Sequence, residues 1–437
     1  MAIASGAAIK RSAAIGARWR VFSDLSDVPA IGRILGCQIF RKSAVRRRSR
    51  PSPMHAHTLP NCLREAAAQY AAGQHAAALA TLDPVLNALP DQAEAHELAT
   101  RIHAGIAGPH TAAAAQRNAA AWLFRCERFA AAVHAFERAR ALEPGHVTTL
   151  ANLGIALLRA NRPQDAEAVL AHALILDPHH TSARLNHGTV LRALGRLTEA
   201  EAAYRDVLAR EPAHVAAWNN LGLLLKDLNR LPESERACRR ALALDDRHAE
   251  IHNNLGNALW QMGEIAASID AYQRALALRP DYAAARTNLA LPLLTRGDYA
   301  NAWPLYESRH DPSMGAEGVA RPPVPYPQWQ GEPLAGKSVL VWPEQGLGDA
   351  LQFVRYVPML KALGAAHVSL ACAPTLARLF ETLDGVDRVI ALDGTGHIER
   401  HDYWVLTMSL PLRFGTTVAT IPARVPYLHV TYFMICI

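Results

Sequence analysis

Residues 147–180 read VTTLANLGIALLRANRPQDAEAVLAHALILDPHH, and the following 34 residues, 181–214, read TSARLNHGTVLRALGRLTEAEAAYRDVLAREPAH. Laid over each other, the two lines agree at the positions that matter for helix packing. Pro144, Pro178, Pro212 and Pro280 are spaced by 34, 34 and 68 residues, with Asp246 at the missing step. Gly154, Gly188, Gly222 and Gly256 fall in the same register, as do Leu153, Leu221, Leu255 and Leu289, and Ala132, Ala166 and Ala200. Aromatic residues recur at Phe136, Tyr204, Tyr272 and Tyr306. Small residues at fixed places let two antiparallel helices pack closely, and the proline ends the second helix. Each pair then leaves an apolar face that only the next pair can cover, so stability is shared between neighbours rather than held in one core.

This pattern resembles the tetratricopeptide repeat (TPR). Five full repeats run over 113–146, 147–180, 181–214, 215–248 and 249–282, and a sixth begins at Ala283. A weaker unit spans 59–92 and ends at Pro90; because Pro90 to Pro144 is 54 residues rather than 68, the register slips between Ala93 and Ala112, where a truncated pair broken around Gly108–Pro109 is expected. The fold expected is therefore mainly α: a TPR superhelix over 59–310 that holds a protein or peptide partner.

The sixth position of successive repeats is always asparagine: Asn118, Asn152, Asn186, Asn220, Asn254 and Asn288. In the TPR pattern this place lies on the first helix of each pair and faces the concave side. An amide offers acceptor and donors together, so a row of them could grip a peptide backbone without reading its sequence. The superhelix of O-linked N-acetylglucosamine transferases, which these repeats resemble, uses that arrangement. The alternative is that each asparagine bonds the neighbouring helix. Arg125, Arg159, Asp227 and Gln261 vary beside the ladder, as suits either a groove with local preferences or a solvated face.

Charge narrows the class of partner. The net +6 is concentrated in residues 1–53, which hold eleven Lys/Arg against two Asp/Glu, leaving 34 against 37 elsewhere. The folded part is not basic, and no nucleic-acid partner is expected. Residues 1–53 read as a basic disordered leader or an over-extended start ahead of Met54; an organelle transit peptide is the other reading. No stretch reaches 18 uncharged apolar residues, so a soluble, cytoplasmic chain without a membrane span is expected. The cysteines, Cys37, Cys62, Cys126, Cys238, Cys372 and Cys436, form no CxxC pair and read as reduced thiols. No metal site or cofactor is expected, since the histidines are scattered and no HExxH occurs.

After His310 the composition changes. Residues 311–333 carry six prolines and read as an extended linker. Beyond it, strands at Ser338–Trp342, His367–Cys372, Val386–Leu392 and Tyr403–Thr407 alternate with helices at Asp349–Leu363 and Pro374–Leu383. Such alternation indicates a parallel sheet, an incomplete Rossmann-like α/β lobe over 334–437. The first strand leads into Glu344-Gln345-Gly346-Leu347-Gly348-Asp349. Two glycines let the backbone turn sharply there, and ligands of parallel sheets gather at the carboxyl ends of the strands. Asp349 then either caps the helix or serves as a general base.

The ordered set Trp329-Gln330-Gly331-Glu332, Gly336-Lys337, EQGLGD with Gln352, Arg355 and Tyr356, Ser409-Leu410-Pro411 and Pro426-Tyr427-Leu428 resembles bacterial TPR proteins with a C-terminal, two-lobed, heptosyltransferase-like glycosyltransferase domain. That resemblance implies Asp349 as candidate catalytic base, Glu344, Gln345, Gly346, Gly348, Gln352 and Arg355 as acceptor-loop residues, and a nucleotide sugar as donor substrate. It also implies a second, donor-binding lobe after Leu428, where nine residues remain. The expectation is accordingly a binding module of glycosyltransferase ancestry, with sugar transfer to a TPR-presented acceptor as the alternative.

Overall fold

The turn inside each helix pair is set by one left-handed residue. Glu127, Asn161, Gly195, Asn229, Gly263 and Gly297 stand 34 apart, all with φ between 58° and 85°. Glycine takes this conformation freely and asparagine tolerates it. It closes the first helix with a Schellman-type bond, from Arg162 N to Leu157 O and from Arg196 N to Leu191 O, both at 2.9 Å.

The computed structural model describes residues 54–88, 95, 98–99, 101–102, 109–317, 319, 321–394 and 398–429. The expectations for 1–53, for most of the register slip at 93–108 and for the apolar stretch after 429 lie outside these residues. The fold is mainly helical, a TPR-type superhelix of helix pairs with a small parallel sheet near the C-terminus. The chain divides into two compact units, with the boundary at Leu228–Asn229. Among the described residues no helix is long and apolar enough to cross a membrane.

The first unit carries α1 (Met54–Ala71), α2 (His75–Ala88), α3 (Pro109–Arg125), α4 (Phe129–Leu142), α5 (Val147–Arg159), α6 (Pro163–Leu176), α7 (Thr181–Ala193), α8 (Leu197–Arg210) and α9 (Val215–Asp227). Its core is built from the repeated small and large positions: Ala132, Ala166 and Ala200 are fully buried beside Phe136, Leu170 and Tyr204. The glycines are required by that packing. A Cβ on Gly154 would stand 2.5 Å from Leu170, and one on Gly188 2.6 Å from Tyr204. Three first helices are capped by histidine at the same repeat position. His146, His180 and His214 accept at Nδ1 from the backbone N–H of Thr149, Ala183 and Ala217, at 3.2, 3.1 and 3.1 Å.

The second unit continues with α10 (Leu231–Leu244), α11 (Ala249–Gln261), α12 (Ile265–Leu278), α13 (Ala283–Arg296) and α14 (Tyr299–Tyr306), then a 3₁₀ turn over Glu307–His310. Strands β1 (Ser338–Trp342), β2 (His367–Cys372), β3 (Arg388–Ala391) and β4 (Tyr403–Leu406) form one sheet in the order β3-β2-β1-β4, every neighbour parallel. Val339 pairs with Val368 on one side and Tyr403 on the other. The strands fall within the expected spans, two of them end to end. The helix expected over 349–363 is instead α15 (Leu347–Phe353), a 3₁₀ turn and α16 (Val357–Ala362). Pro358, without an N–H, cannot continue the first segment. The helix expected over 374–383 shrinks to a 3₁₀ turn and α17 (Ala377–Phe380), and α18 (Leu410–Arg413) follows β4.

The sheet buries both faces. Val339, Val341, Val368, Leu370 and Val405 share one cluster with Trp303 and Tyr306 of α14, so the last helix pair and the sheet have a common core. Leu340, Ala371, Trp404 and Leu406 pack on the other face against Tyr326. The Pro-rich stretch is not extended throughout, since Pro312–Glu317 forms a 3₁₀ helix, and its later part is docked rather than free. Trp329 is 1% exposed, its N–H donates to Trp404 O at 2.7 Å, and Trp404 N–H donates to Pro327 O at 3.0 Å, so the stretch lines the outer edge of β4.

Candidate functional site

The asparagine ladder is sunk into the stack. Asn186, Asn220, Asn254 and Asn288 are buried, Asn152 is half-buried and Asn118 is exposed. Where the bonds are resolved, the amides reach the neighbouring first helix. Asn186 Nδ2 donates to Ala151 O at 3.1 Å, Asn220 Nδ2 to Thr189 Oγ1 at 3.3 Å, and Asn288 Nδ2 to Asn253 Oδ1 at 3.0 Å. The second helix joins in, since Tyr204 Oη also donates to Thr189 Oγ1 at 3.3 Å, and Tyr272 Oη donates to Asn257 Oδ1 at 2.8 Å. Burial pushes the Tyr204 hydroxyl up to about 12, keeping it a donor at every ordinary pH. These buried amides therefore fix helix spacing, and they offer little surface to a peptide.

Beside the ladder, seven residues further on, lies a second row: Arg125, Arg159, Ala193, Asp227, Gln261 and Thr295. None is buried. Arg159 stacks over Phe129, 4.4 Å from the ring centre, and Asp227 accepts from Arg192 Nε at 2.7 Å.

The loop after β1 is held from below. Glu344, its side chain wholly buried, accepts a fork from Arg309, Nε to Oε2 at 2.8 Å and Nη2 to Oε1 at 3.0 Å, and accepts the Met408 N–H at 2.8 Å. Arg309 also donates to Ser409 Oγ (2.9 Å), Glu307 Oε1 (2.7 Å) and Tyr306 O (3.0 Å). Arg413 closes the network on Glu307 Oε2 at 3.0 Å. Burial alone would raise the Glu307 carboxyl, but Arg309, Ser409 and Arg413 hold it below the usual range. The crevice between the loops after β1 and β4 is where a parallel sheet of this order ordinarily opens to a ligand. Here Arg309 fills it.

The expected acceptor-loop residues are thus divided in their tasks. Glu344 is a buried anchor, and Gln345 donates from Nε2 to Tyr306 Oη at 2.9 Å. Gly346 precedes α15 at φ −70°, and neither it nor Gly348 is left-handed, so the sharp glycine turn expected there is not what the glycines provide. A Cβ on Gly348 would meet nothing within 4 Å; the pair simply leaves the loop uncovered. Asp349 is half-buried in the first turn of α15, three residues after the N-cap Gly346. Burial pushes its carboxyl above the ordinary value, with the Gly346 and Asp349 amides opposing. Gln352 is exposed. Arg355 turns to the C-terminal segment, donating to Pro422 O at 3.4 Å and Tyr427 Oη at 3.1 Å and stacking over the Tyr427 ring.

Sequence reasoning passed over Arg309 and the aromatic side of α14. A signal for the latter exists: Tyr299, Trp303 and Tyr306 stand at i, i+4 and i+7, a single helix face.

Comparisons with known proteins bear on the repeats. Tetratricopeptide-repeat family models match residues 123–186, 185–249 and 249–282. Protein FlbA of Caulobacter vibrioides is 34% identical over 142 residues, which are 29% of this chain and 24% of that protein, so the chain spans about a quarter of the relative's length. A thermophilic TPR protein of Thermus thermophilus aligns at 22% identity and TM-score 0.39, over 41% of this chain and 97% of that one. MamA of Desulfovibrio magneticus aligns at 24% identity and TM-score 0.33, over 39% and 96%.

Proposed function

We propose, with residues 123–282 being tetratricopeptide repeats, that this chain is a protein-binding scaffold whose first helices contact a segment of a partner protein. The observation that carries the reading is the contrast between two rows of the same helices. The ladder is asparagine in every repeat and largely buried, whereas the row seven residues on is accessible and chemically varied, from Arg125 through Asp227 to Thr295. A constant buried row sets geometry, and a variable accessible one supplies recognition.

The reading is tested by displaying random peptides to the full chain and measuring the selected binder by calorimetry. A saturable complex weakened about fivefold or more by Arg125→Ala or Gln261→Ala, with the melting midpoint unchanged, is expected. Absence of any saturable binder, or a binder indifferent to both rows, overturns it.

A second reading has one observation in its favour. Asp349 stands at the carboxyl end of β1 in a parallel sheet, half-buried, with its carboxyl pushed up by burial. Under this reading the lobe belongs to a glycosyltransferase that moves a sugar from a nucleotide-sugar donor to an acceptor presented by the repeats, with Asp349 as base. A rise in melting midpoint that depends on the concentration of one nucleotide sugar supports it; no shift across a donor panel counts against it.

A further inference from the structure

Within the second unit, α13, α14 and α15 enclose a cleft of about 190 Å³. Its walls are aromatic: Tyr299 and Trp303 from α14, Phe353 and Tyr356 from α15 and the turn after it. Trp303 meets Phe353 edge-on at 6.3 Å and Tyr299 at 5.9 Å, while Phe353 stacks on Tyr356 at 6.4 Å. Leu294 and Ile421 complete the apolar lining, and Gln352 and Arg355 supply its polar groups.

Two features of this cleft are unspent. Among the described residues the partners of the Arg355 guanidinium are neutral: Gln352 O at 2.9 Å, Pro422 O, and the hydroxyl and ring of Tyr427. These bonds use three of its five N–H donors and none of its charge. Trp303 is 7% exposed, and its indole Nε1–H, a donor only, is buried without a partner among the described residues. A half-buried cation lining an aromatic cleft suits a ligand that brings a counter-charge, and a carboxylate matches a guanidinium in charge and fork geometry. At about 30 Å³ per water, the volume admits roughly one ring with its carboxylate. Sugar hydroxyls would face four aromatic and two aliphatic walls with few partners, so an apolar ring fits better.

We propose that this cleft binds a small arylcarboxylate, its carboxylate on Arg355 and Gln352 and its ring among Trp303, Phe353 and Tyr356. This proposal does not rest on the partner-binding reading of the repeats.

The test is ligand-observed fluorine NMR of 4-fluorobenzoate with the full chain, competed by sodium benzoate. Saturable broadening is expected, with a Kd in the millimolar range for a ligand of this size. Arg355→Gln is expected to weaken binding about tenfold. Because that change also loosens Tyr427 and Pro422, Leu294→Trp serves as the second variant: it keeps the charge, fills the cleft and should abolish binding. Equal broadening of neutral 4-fluorobenzyl alcohol, equal competition by glucuronate, or unchanged binding by the Leu294→Trp protein overturns the proposal, as does the absence of saturable binding to the unaltered chain.

Discussion

The helix pairs of the first unit and the sheet region of the second solve the same problem, burying polar groups without orphaning them, by opposite means. In the repeats the solution is local and recurs: a left-handed turn residue, a capping histidine, and an asparagine that reaches the preceding first helix, each at 34-residue intervals. In the sheet region it occurs once. Arg309, Glu344, Glu307, Ser409 and Arg413 form a single buried network that ties Glu307 and Arg309 to residues 35 to 106 positions further along the chain. A repeated device spreads its energy over many small terms, each removable without collapse. A unique network concentrates it.

The largest effect should therefore come from the network. Arg309→Ala strands Glu344 in a fully buried site and is expected to cost about 3–5 kcal/mol in urea unfolding, since an uncompensated buried charge remains. Replacing both residues together, Arg309→Met with Glu344→Leu, should recover most of that loss. If the single and double variants are equally damaged, the network is anchoring more than charge, and the contrast with the repeats needs another basis.

Next in size is the close approach of helices in the repeats. Gly188→Ala puts a Cβ 2.6 Å from the Tyr204 ring and should cost about 1–3 kcal/mol, even though alanine favours helix. A melting midpoint that rises instead would mean the pair can open without penalty. Gly195, at φ +77° with open space around its Cβ, gives the matching test of backbone alone, and alanine there should cost about 1–2 kcal/mol.

Asn186→Ala should cost about 1 kcal/mol, one buried hydrogen bond to Ala151 O. A peptide bound to the repeats should keep its affinity. If affinity falls while the melting midpoint holds, the ladder grips the partner, and the division between a structural row and a recognition row fails.

What could be read from the sequence follows the same divide. The period placed every helix pair of residues 113–282, and alternation placed all four strands, because both signals are local. Residues 349–363 read as one helix because apolar periodicity runs through Pro358, while the backbone cannot. The docking of the Pro-rich stretch on β4 left no local trace, because proline composition reports an extended backbone and not its neighbour. Glu344 read as a loop acid beside a glycine turn; its partner Arg309 lies on another element, and no spacing rule connects them. Arg355 reads as an acceptor-loop residue only through the family resemblance, and its bond to Tyr427, 72 residues on, depends on tertiary placement alone.

The smallest effect tests whether the repeated caps act as independent small terms. His146 accepts the Thr149 N–H at Nδ1, which requires that nitrogen to be unprotonated. Burial, then the charge of Arg117, lowers its pKa from the ordinary value, with Glu143 opposing. A histidine whose folded pKa lies below its unfolded one favours folding when neutral. Its contribution is therefore complete above about pH 6.5, and it declines as pH falls from there through the lowered folded value. His146→Asn keeps an oxygen acceptor at the cap without a titrating group. It should match the parent at pH 8 and lose less stability between pH 7 and pH 5, read as a smaller shift in urea midpoint. His146→Ala should be weaker than the parent at pH 8 by about 1 kcal/mol. Since His180 and His214 cap their helices in the same way, combining the three alanine substitutions should add their costs at pH 8. Strong non-additivity would show that the repeats couple through their caps, which would bring the stack closer in behaviour to the single network beneath the sheet.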